Sequence, residues 1–284
     1  MSSDRRQERA FRQRDALFSF WRQALLATIA VLCAASASAA ALCPPDHIDE
    51  QVRVTYVYDG DTVFLANGQH LRLVGLDTPE MGRNGAPNEP YAVAARDRLR
   101  QLLFSHHERL NLRFGQQRRD HYGRLLAHAF LEDGSSVTAI LLRAGLATTL
   151  VIPPNVWNAQ CYAAQERTAR QAHRGLWRLA AYQPKNSATL PGSTRGFRVV
   201  RGRVVHIGHS ARALWLDLQG RFGVRVDRRD LSYFTNAPLE SLHGRTIEVQ
   251  GIVYERHHEL RMQVRYPTAL RVVDKRALPA GAHQ

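Results

Sequence analysis

Residues 52–80 read VRVTYVYDGDTVFLANGQHLRLVGLDTPE, and this stretch decides the fold. It contains three runs rich in β-branched and apolar residues, which is typical of strands. The last two runs are separated by Asn67-Gly68, the dipeptide favoured by a type I′ hairpin turn. A turn there sets the two runs antiparallel and brings Asp61 back toward Asp77. The sequence therefore predicts a β-hairpin with two carboxylates at its open end.

Polar groups gather at the open end of this hairpin. Asp61 and Asp77, with the backbone carbonyl of Thr78, offer oxygen ligands, the only kind that a hard cation such as Ca²⁺ takes. Glu80 follows as a candidate base, and Arg72 is a candidate phosphate clamp. Acids and an arginine in one small volume suit chemistry on a phosphate ester.

A second motif lies downstream, where residues 120–124 read DHYGR before an apolar run. Arg124, just after a glycine at the start of a predicted strand, is a forked donor for phosphate oxygens. The motifs DGDT, R-x4-DTPE and D-x-YGR occur in this order. Together they resemble the staphylococcal-type thermonucleases, the staphylococcal nuclease-like family, over about residues 53–177.

The resemblance implies roles for the acidic residues. Asp61 and Asp77 look like the Ca²⁺ carboxylates, with the Thr78 carbonyl beside them. Glu80 resembles the residue that activates or positions the attacking water. The cofactor implied is therefore Ca²⁺.

The resemblance also implies the substrate contacts. Arg72 and Arg124 resemble the two arginines that bind the scissile phosphate and stabilise its transition state. Tyr122 stands where the family has a tyrosine lining the nucleotide pocket. His121 is a departure, because the type member has a lysine there that contacts the terminal phosphate.

Two functions from different classes remain open. The first is a Ca²⁺-dependent endonuclease that hydrolyses DNA and/or RNA with low base specificity and leaves 3′-phosphates, as the family resemblance implies. The alternative is a non-enzymatic nucleic-acid-binding module with a decayed nuclease site. The intact acids and arginines favour the enzyme, since a decayed site would have lost some of them.

The N-terminus predicts export. Six arginines within the first 22 residues precede an apolar run from Ala24 to Val31, and residues 37–39 offer an A-x-A cleavage site. A signal peptide over residues 1–39 implies a periplasmic or secreted protein without stable membrane insertion after cleavage. The alternative is an uncleaved anchor, because the run continues through Ala/Ser-rich sequence to Leu42, and its length of about 19 residues is close to the minimum for a membrane span. We expect the mature protein to be a monomer.

Export bears on the cysteines. Cys33 would leave with the signal, so the mature chain keeps Cys43 and Cys161. An even pair in an oxidising compartment favours a disulfide. Two free thiols are the alternative, since sequence does not give the distance between them.

The remaining pattern predicts mainly β structure with helices. Residues 44–181 read as a five-stranded barrel of the oligonucleotide/oligosaccharide-binding (OB) type with three helices. The third helix is expected at Asn155–Arg174. The helical spacing of its less polar residues predicts an inward face made of Trp157, Cys161, Ala164 and Thr168. Neither a βα alternation nor a glycine-rich nucleotide motif occurs, which argues against a doubly wound fold.

The C-terminal half predicts a second barrel. Residues 182–196 are rich in Pro, Gly, Ser and Thr and are predicted to form a linker. Residues 197–275 contain five further predicted strands, which suggest an OB-like barrel. Residues 276–284 are predicted to be a tail.

Charge separates the two halves of the chain. The whole chain carries a formal charge of +14. Residues 197–275 hold 14 basic and 8 acidic residues, a net +6, against 18 and 14, a net +4, over residues 44–196. Such a surface attracts polyanions, nucleic acid first. The second barrel is therefore expected either to grip substrate or to cap the catalytic barrel.

Overall fold

Two closed β-barrels follow one another in the protein, which we describe from a computed structural model over residues 41–235 and 238–273. Both belong to one structural unit, residues 41–284. The expected signal peptide (1–39) and tail (276–284) lie outside the described residues. Within the described part, no helix has the length and apolarity needed to cross a membrane.

The first barrel closes through five strands. Its sheet order is β1-β2-β3-β6-β5, with β5 pairing back to β1, and β3 and β6 run parallel. A short two-stranded sheet, β4 with β7, lies beside it. The strands are β1 (Glu50–Val57), β2 (Thr62–Leu65), β3 (His70–Leu73), β4 (Gly75–Asp77), β5 (Arg109–Arg119), β6 (Leu125–Phe130) and β7 (Thr148–Leu150). The predicted OB-type barrel is confirmed.

The hairpin between β2 and β3 forms as predicted, but its turn is of another kind. Thr62 pairs with Arg72 and Phe64 with His70. Gly68 has a φ of +80°, whereas Asn67 is not among the residues with positive φ. A type I′ turn needs positive φ at both central residues. The Asn67 side chain instead accepts a hydrogen bond from the Gln69 N–H at 3.1 Å.

Three helices pack on the first barrel: α1 (Ala92–Ser105), α2 (Val137–Ala144) and α3 (Ala159–Gln171). The third is shorter than predicted, because Asn158 has a φ of +59° and lies outside the helix. Its inward face also differs, since the buried residues are Ala159, Tyr162, Ala163, Glu166 and Ala169. Because alanines occur on both faces of α3, the sequence did not show clearly which face is apolar.

A disulfide joins the start of the barrel to α3. Cys43 and Cys161 are bonded, with their Cα atoms 5.9 Å apart and a separation of 118 positions in sequence. Cys43 is buried in the barrel's hydrophobic core, where Cys161 also packs. The bond holds the segment before β1 against α3.

The second barrel repeats the topology of the first. Its order is β9-β10-β11-β13-β12, with β12 pairing back to β9, and its third and fifth strands, β11 and β13, again run parallel. The strands are β8 (Lys185–Asn186), β9 (Gly196–His209), β10 (Ala213–Leu218), β11 (Phe222–Asp227), β12 (Thr246–Arg256), β13 (Glu259–Gln263) and β14 (Leu270–Val272). The prediction of a second small barrel is confirmed.

The segment expected to be a linker, residues 182–196, is packed rather than free. Its strand β8 runs parallel to β9, and Ser187 is buried. The two barrels also meet along α3. Gln250 on β12 donates to Glu166 at 2.7 Å, and Arg170 contacts the buried Glu248 at 2.7 Å. The halves are therefore joined by buried polar contacts as well as by the chain.

Candidate active site

The short strand β4 carries Asp77 to the site. It pairs with β7, so that Asp77 lies opposite Thr148. Gly75 at its start has a φ of +93°, and a Cβ there would lie 2.5 Å from the ring of Tyr162. Only glycine allows this approach, which fixes β4 against α3.

Asp61 is held by the chain that follows Asp77. Its Oδ2 accepts hydrogen bonds from the Thr78 N–H at 3.0 Å and the Thr78 hydroxyl at 2.9 Å. A Cβ on Gly60 would meet Thr78 at 2.7 Å, so glycine is needed for this contact. Asp61 and Asp77, 16 positions apart in sequence, therefore lie side by side, as the hairpin pattern predicts.

Arg72 bridges the two carboxylates. Its Nη1 lies 2.5 Å from Asp61 and its Nη2 lies 2.9 Å from Asp77. The guanidinium is largely buried, with 14% of its side chain exposed. Buried ion pairs are strong only when well oriented. Here Nη2 is hydrogen-bonded to Asp77 and Nη1 is ion-paired with Asp61.

The carboxylates crowd one another. Burial, together with the nearby charge of Asp61, raises the pKa of Asp59 to about 7. Burial also raises the pKa of Asp77 to about 6, with Asp61 and Glu80 adding to the effect against the opposing charge of Arg72. Burial is the largest cause in both residues, and the neighbouring acids add to it.

Glu80 lies at the rim of this acidic group. It is exposed, and its N–H donates to the carboxylate of Glu89 at 2.9 Å. Its charge acts on both Arg72 and Asp77, which places it near them. An exposed carboxylate beside these acids is accessible to water.

Arg124 is fixed from behind by Asp120. The Asp120 carboxylate accepts from the Arg124 Nε at 2.7 Å and from the N–H groups of Arg124 and Tyr122 at 3.0 and 2.9 Å. Burial alone would raise the pKa of Asp120, but these hydrogen bonds and the charge of Arg124 outweigh it and lower that pKa. The guanidinium is thus already oriented before any ligand binds.

The two arginines share one cavity, which the side chains of Asp61, Asp77 and Glu80 do not line. It has a volume of about 710 Å³ and is lined by Arg72, Arg124 and His121. Tyr122 is 73% exposed, and its ring contacts that of His121 at a centroid distance of 3.7 Å. Tyr122 therefore stands at the surface next to the cavity.

Sequence reasoning missed part of the cavity wall. Leu150, the last residue of β7, and Ile152 just after it line the cavity and are 38% and 44% exposed. Arg229 and Tyr233 line it from the second barrel. The only sequence signal for a contribution from that barrel was the excess of basic residues over residues 197–275.

The donor chemistry fits a hard divalent cation. Asp61, Asp77 and the Thr78 carbonyl supply oxygen only, which is the kind of ligand that a hard cation takes. Among residues 41–235 and 238–273, no three His, Cys, Asp or Glu side chains group closely enough to hold a metal. The candidate site consequently depends on two carboxylates and a backbone carbonyl.

Comparison with known proteins identifies the domain that bears this site. The family described as staphylococcal nuclease homologue matches residues 70–179. A thermonuclease from Staphylococcus intermedius is 30% identical over 131 residues, which cover 45% of this chain and 76% of that protein. The chain belongs to the staphylococcal nuclease homologue family. This confirms the predicted resemblance, and with it a hydrolase of the thermonuclease type.

Other relatives of this nuclease homologue agree. A thermonuclease from Staphylococcus hyicus is 28% identical over 132 residues, covering 45% of this chain and 76% of that protein. Endonuclease YncB from Bacillus subtilis is 35% identical over 129 residues, covering 44% of this chain and 60% of its own. The family match ends at residue 179, before the second barrel begins.

Proposed function

We propose that this staphylococcal nuclease homologue is an exported, Ca²⁺-dependent endonuclease that hydrolyses DNA and/or RNA with low base specificity. One observation carries the proposal: Arg72 and Arg124 line a single cavity, and Arg72 also pairs with the buried carboxylate of Asp61 and the half-buried carboxylate of Asp77. The names of the relatives, thermonuclease and endonuclease, support it.

The two arginines bind the non-bridging oxygens of the scissile phosphate. Hydrolysis adds negative charge to these oxygens in the transition state, so donors that are already in place lower the barrier. Arg124, braced by Asp120, and Arg72, held between two carboxylates, are such donors. In other enzymes, removing one preorganised donor costs about 10²–10³ in rate.

Glu80 takes a proton from the attacking water. The water oxygen bonds to phosphorus, the bond from phosphorus to the 5′ oxygen breaks, and that oxygen gains a proton from solvent. The products are a 3′-phosphate and a 5′-hydroxyl. The exposed position of Glu80, close enough to act on the pKa of Asp77, supports this role.

Asp61, Asp77 and the Thr78 carbonyl would hold Ca²⁺. When bound, the ion supplies positive charge that offsets charge on the phosphate. His121, which lines the cavity, and Tyr122, which contacts it at the surface, are proposed nucleotide contacts. The substitution of histidine for the family's lysine at residue 121 removes a fixed positive charge from that position at neutral pH.

Export is part of the proposal. The disulfide between Cys43 and Cys161 supports it, because such bonds persist in oxidising compartments. The charged and apolar segments of residues 1–39 support a signal peptide, with an uncleaved anchor as the alternative.

Cleavage assays test the nuclease function directly. Protein lacking residues 1–39 is incubated with single-stranded DNA and with RNA, in Ca²⁺ or in chelator. We expect cleavage that needs Ca²⁺, and Glu80→Gln should keep Ca²⁺ binding by calorimetry but lose about 10² or more in kcat. Nucleic-acid binding without Ca²⁺-stimulated cleavage would instead support the non-enzymatic binding module.

A further inference from the structure

We propose that the second barrel forms one wall of the substrate cleft, where Arg229, Tyr233 and Arg265 hold a single nucleic-acid strand next to the scissile phosphate. The proposal rests on the nuclease function proposed above. It assigns these residues to substrate positioning rather than to the chemical step.

The cavity itself brings the two barrels together. Arg72 and Arg124 line it from the first barrel, and Arg229, Tyr233 and Arg265 line it from the second. Its volume of about 710 Å³ lies within the range of about 300–1,000 Å³ found for ligand sites. A strand bound to the catalytic arginines must therefore pass beside the second barrel.

Arg265 repeats the arrangement of Arg124 on the opposite wall. Its Nε and Nη2 donate to the buried carboxylate of Asp230 at 2.9 and 3.2 Å. Among the described residues, the structure shows no partner for Nη1. A guanidinium held by an aspartate, with donors left over, suits a phosphate oxygen. Two such arginines, one from each barrel, match the repeated phosphates of a polynucleotide.

Arg229 adds an exposed positive charge to the same wall. It lies on the 3₁₀ segment Arg228–Phe234, its side chain is 70% exposed, and its contact with Asp227 is 3.6 Å long. A contact of that length between exposed groups contributes little to folding. The exposure of Arg229 at the cavity is therefore explained better by a ligand than by the barrel's own stability.

Tyr233 offers a ring to a base. It lines the cavity and lies 5.8 Å from Tyr266, measured between ring centroids. Across the cavity, Leu150 and Ile152 present exposed apolar surface. Stacking of bases on aromatic rings is sequence-tolerant, which agrees with an enzyme of low base specificity.

The junction between the barrels keeps this wall in place. Glu166 on α3 accepts hydrogen bonds from the Thr149 N–H of β7 and from Gln250 of β12. Val199 of β9 packs with Ala169 and Trp177 of the first half. A cleft between two fixed surfaces can position a strand, whereas a tethered lobe could only raise its local concentration.

Kinetics on substrates of two sizes test the proposal in the full mature chain. The variants are Arg229→Ala and Tyr233→Leu, since leucine keeps the apolar packing of Tyr233 but removes its ring. Arg228→Ala is the matched control, because this exposed neighbour bonds to the Ser210 carbonyl at 2.9 Å and does not line the cavity. The substrates are a single-stranded oligonucleotide and a nucleoside p-nitrophenyl phosphodiester.

We expect each test variant to raise the KM for the oligonucleotide roughly fivefold to a hundredfold, the range for a lost base or phosphate contact, with kcat nearly unchanged. Both variants should cleave the small phosphodiester like the parent protein. Arg229→Ala should also flatten the salt dependence of oligonucleotide binding by roughly 0.7 in the logarithmic slope, as loss of one phosphate contact predicts.

Three outcomes separate the possibilities. If Arg229→Ala behaves like Arg228→Ala on both substrates, the proposal is wrong even though the parent protein cleaves. If the variants impair both substrates equally, the wall has a structural role and the proposal is again wrong. A parent protein that cleaves neither substrate contradicts the nuclease function itself. Arg229→Ala decides the matter alone should Tyr233→Leu unfold, because Arg229 is exposed.

Discussion

At the scale of single residues, the site depends on arginines that are held before substrate arrives. Asp120 receives the Nε of Arg124 and two backbone N–H groups, so the motif D-x-YGR encodes both a phosphate donor and its support. A donor that needs no reorientation is worth more in the transition state than a free side chain. In the proposed mechanism Asp120 is thus a positioning residue, while Arg124 contacts the substrate.

Substitution of these two residues should separate the roles. Arg124→Ala should lower kcat by about 10²–10³, because the transition-state donor is lost. Asp120→Asn keeps an oxygen for the backbone N–H groups but cannot accept from Nε with its amide nitrogen. We expect a smaller loss, roughly tenfold, in kcat with little change in KM, measured by steady-state kinetics. An Asp120→Asn enzyme with the parent kcat would show that Arg124 needs no brace.

Another residue, His128, couples pH to stability. Burial, with the nearby charge of Arg113, lowers its pKa to about 3 from the ordinary 6.5. Its ring bonds to the Tyr162 hydroxyl at 3.0 Å, and its Nε2 has no partner among the described residues. The folded state therefore keeps His128 neutral, whereas the unfolded state binds a proton below pH 6.5. Its contribution to stability is complete above pH 6.5 and is lost as the pH falls toward 3.

Replacing His128 should remove its part of the pH dependence of stability. Between pH 7.5 and pH 5, His128 alone should account for about 2 kcal/mol of lost unfolding free energy. Urea unfolding of the parent and of His128→Gln at both pH values measures the difference. The two proteins share all other titrating groups, so equal losses in both would contradict the assignment to His128.

At the scale of elements, the sequence predicts what local rules control. The β2–β3 hairpin follows from alternating runs and Asn67-Gly68, and α2 follows from Ser136, which caps its first turn, and Gly145, which ends it with a φ of +72°. Asp61 and Asp77 could be paired in advance because a hairpin relates them. The turn type was wrong, since only tertiary pairing decides which residue takes positive φ.

Elements set by distant contacts could not be predicted. The pairing of β4 with β7 joins segments about 70 residues apart, and it places Leu150 and the β4 residues Gly75 and Leu76 at the cavity. The buried face of α3 was misassigned because Glu166, a charged residue, is inside. Only its hydrogen bonds to β7 and β12 make that burial favourable.

The disulfide is an element-scale constraint with a measurable effect. It closes a loop over 118 residues, from the segment before β1 to α3. In the chain-entropy account, such a loop stabilises the fold by about 4–5 kcal/mol. Cys43→Ser/Cys161→Ser should lose a comparable amount in denaturant unfolding, and reduction of the parent protein should match it. A double variant as stable as the oxidised parent would show that the disulfide does not stabilise the fold.

At the scale of the whole molecule, two barrels of one topology divide the work. The first supplies the acidic residues together with Arg72 and Arg124, and the second carries the larger charge excess and part of the cavity wall. Sequence alone left two roles for the second barrel, gripping substrate or capping the first. The structure shows the packing directly, since Val199 lies against Trp177, and it places Arg229 at the cavity, where the proposed strand would bind.

Truncation after Tyr182 should therefore damage more than substrate binding. It removes Val199 and Phe197 from the buried surface of Trp177 and takes Gln250 from Glu166, whose pKa burial raises. Exposing such surface and leaving a buried carboxyl short of a partner destabilises a fold by several kcal/mol, on the order of 2–5. We expect a lower Tm by calorimetry and reduced cleavage of short and long substrates alike. Full-length Arg229→Ala should keep the parent Tm and lose only oligonucleotide affinity. A truncated protein with the parent Tm would show that the first barrel folds independently, and the junction would then serve only to aim the second barrel at the cleft.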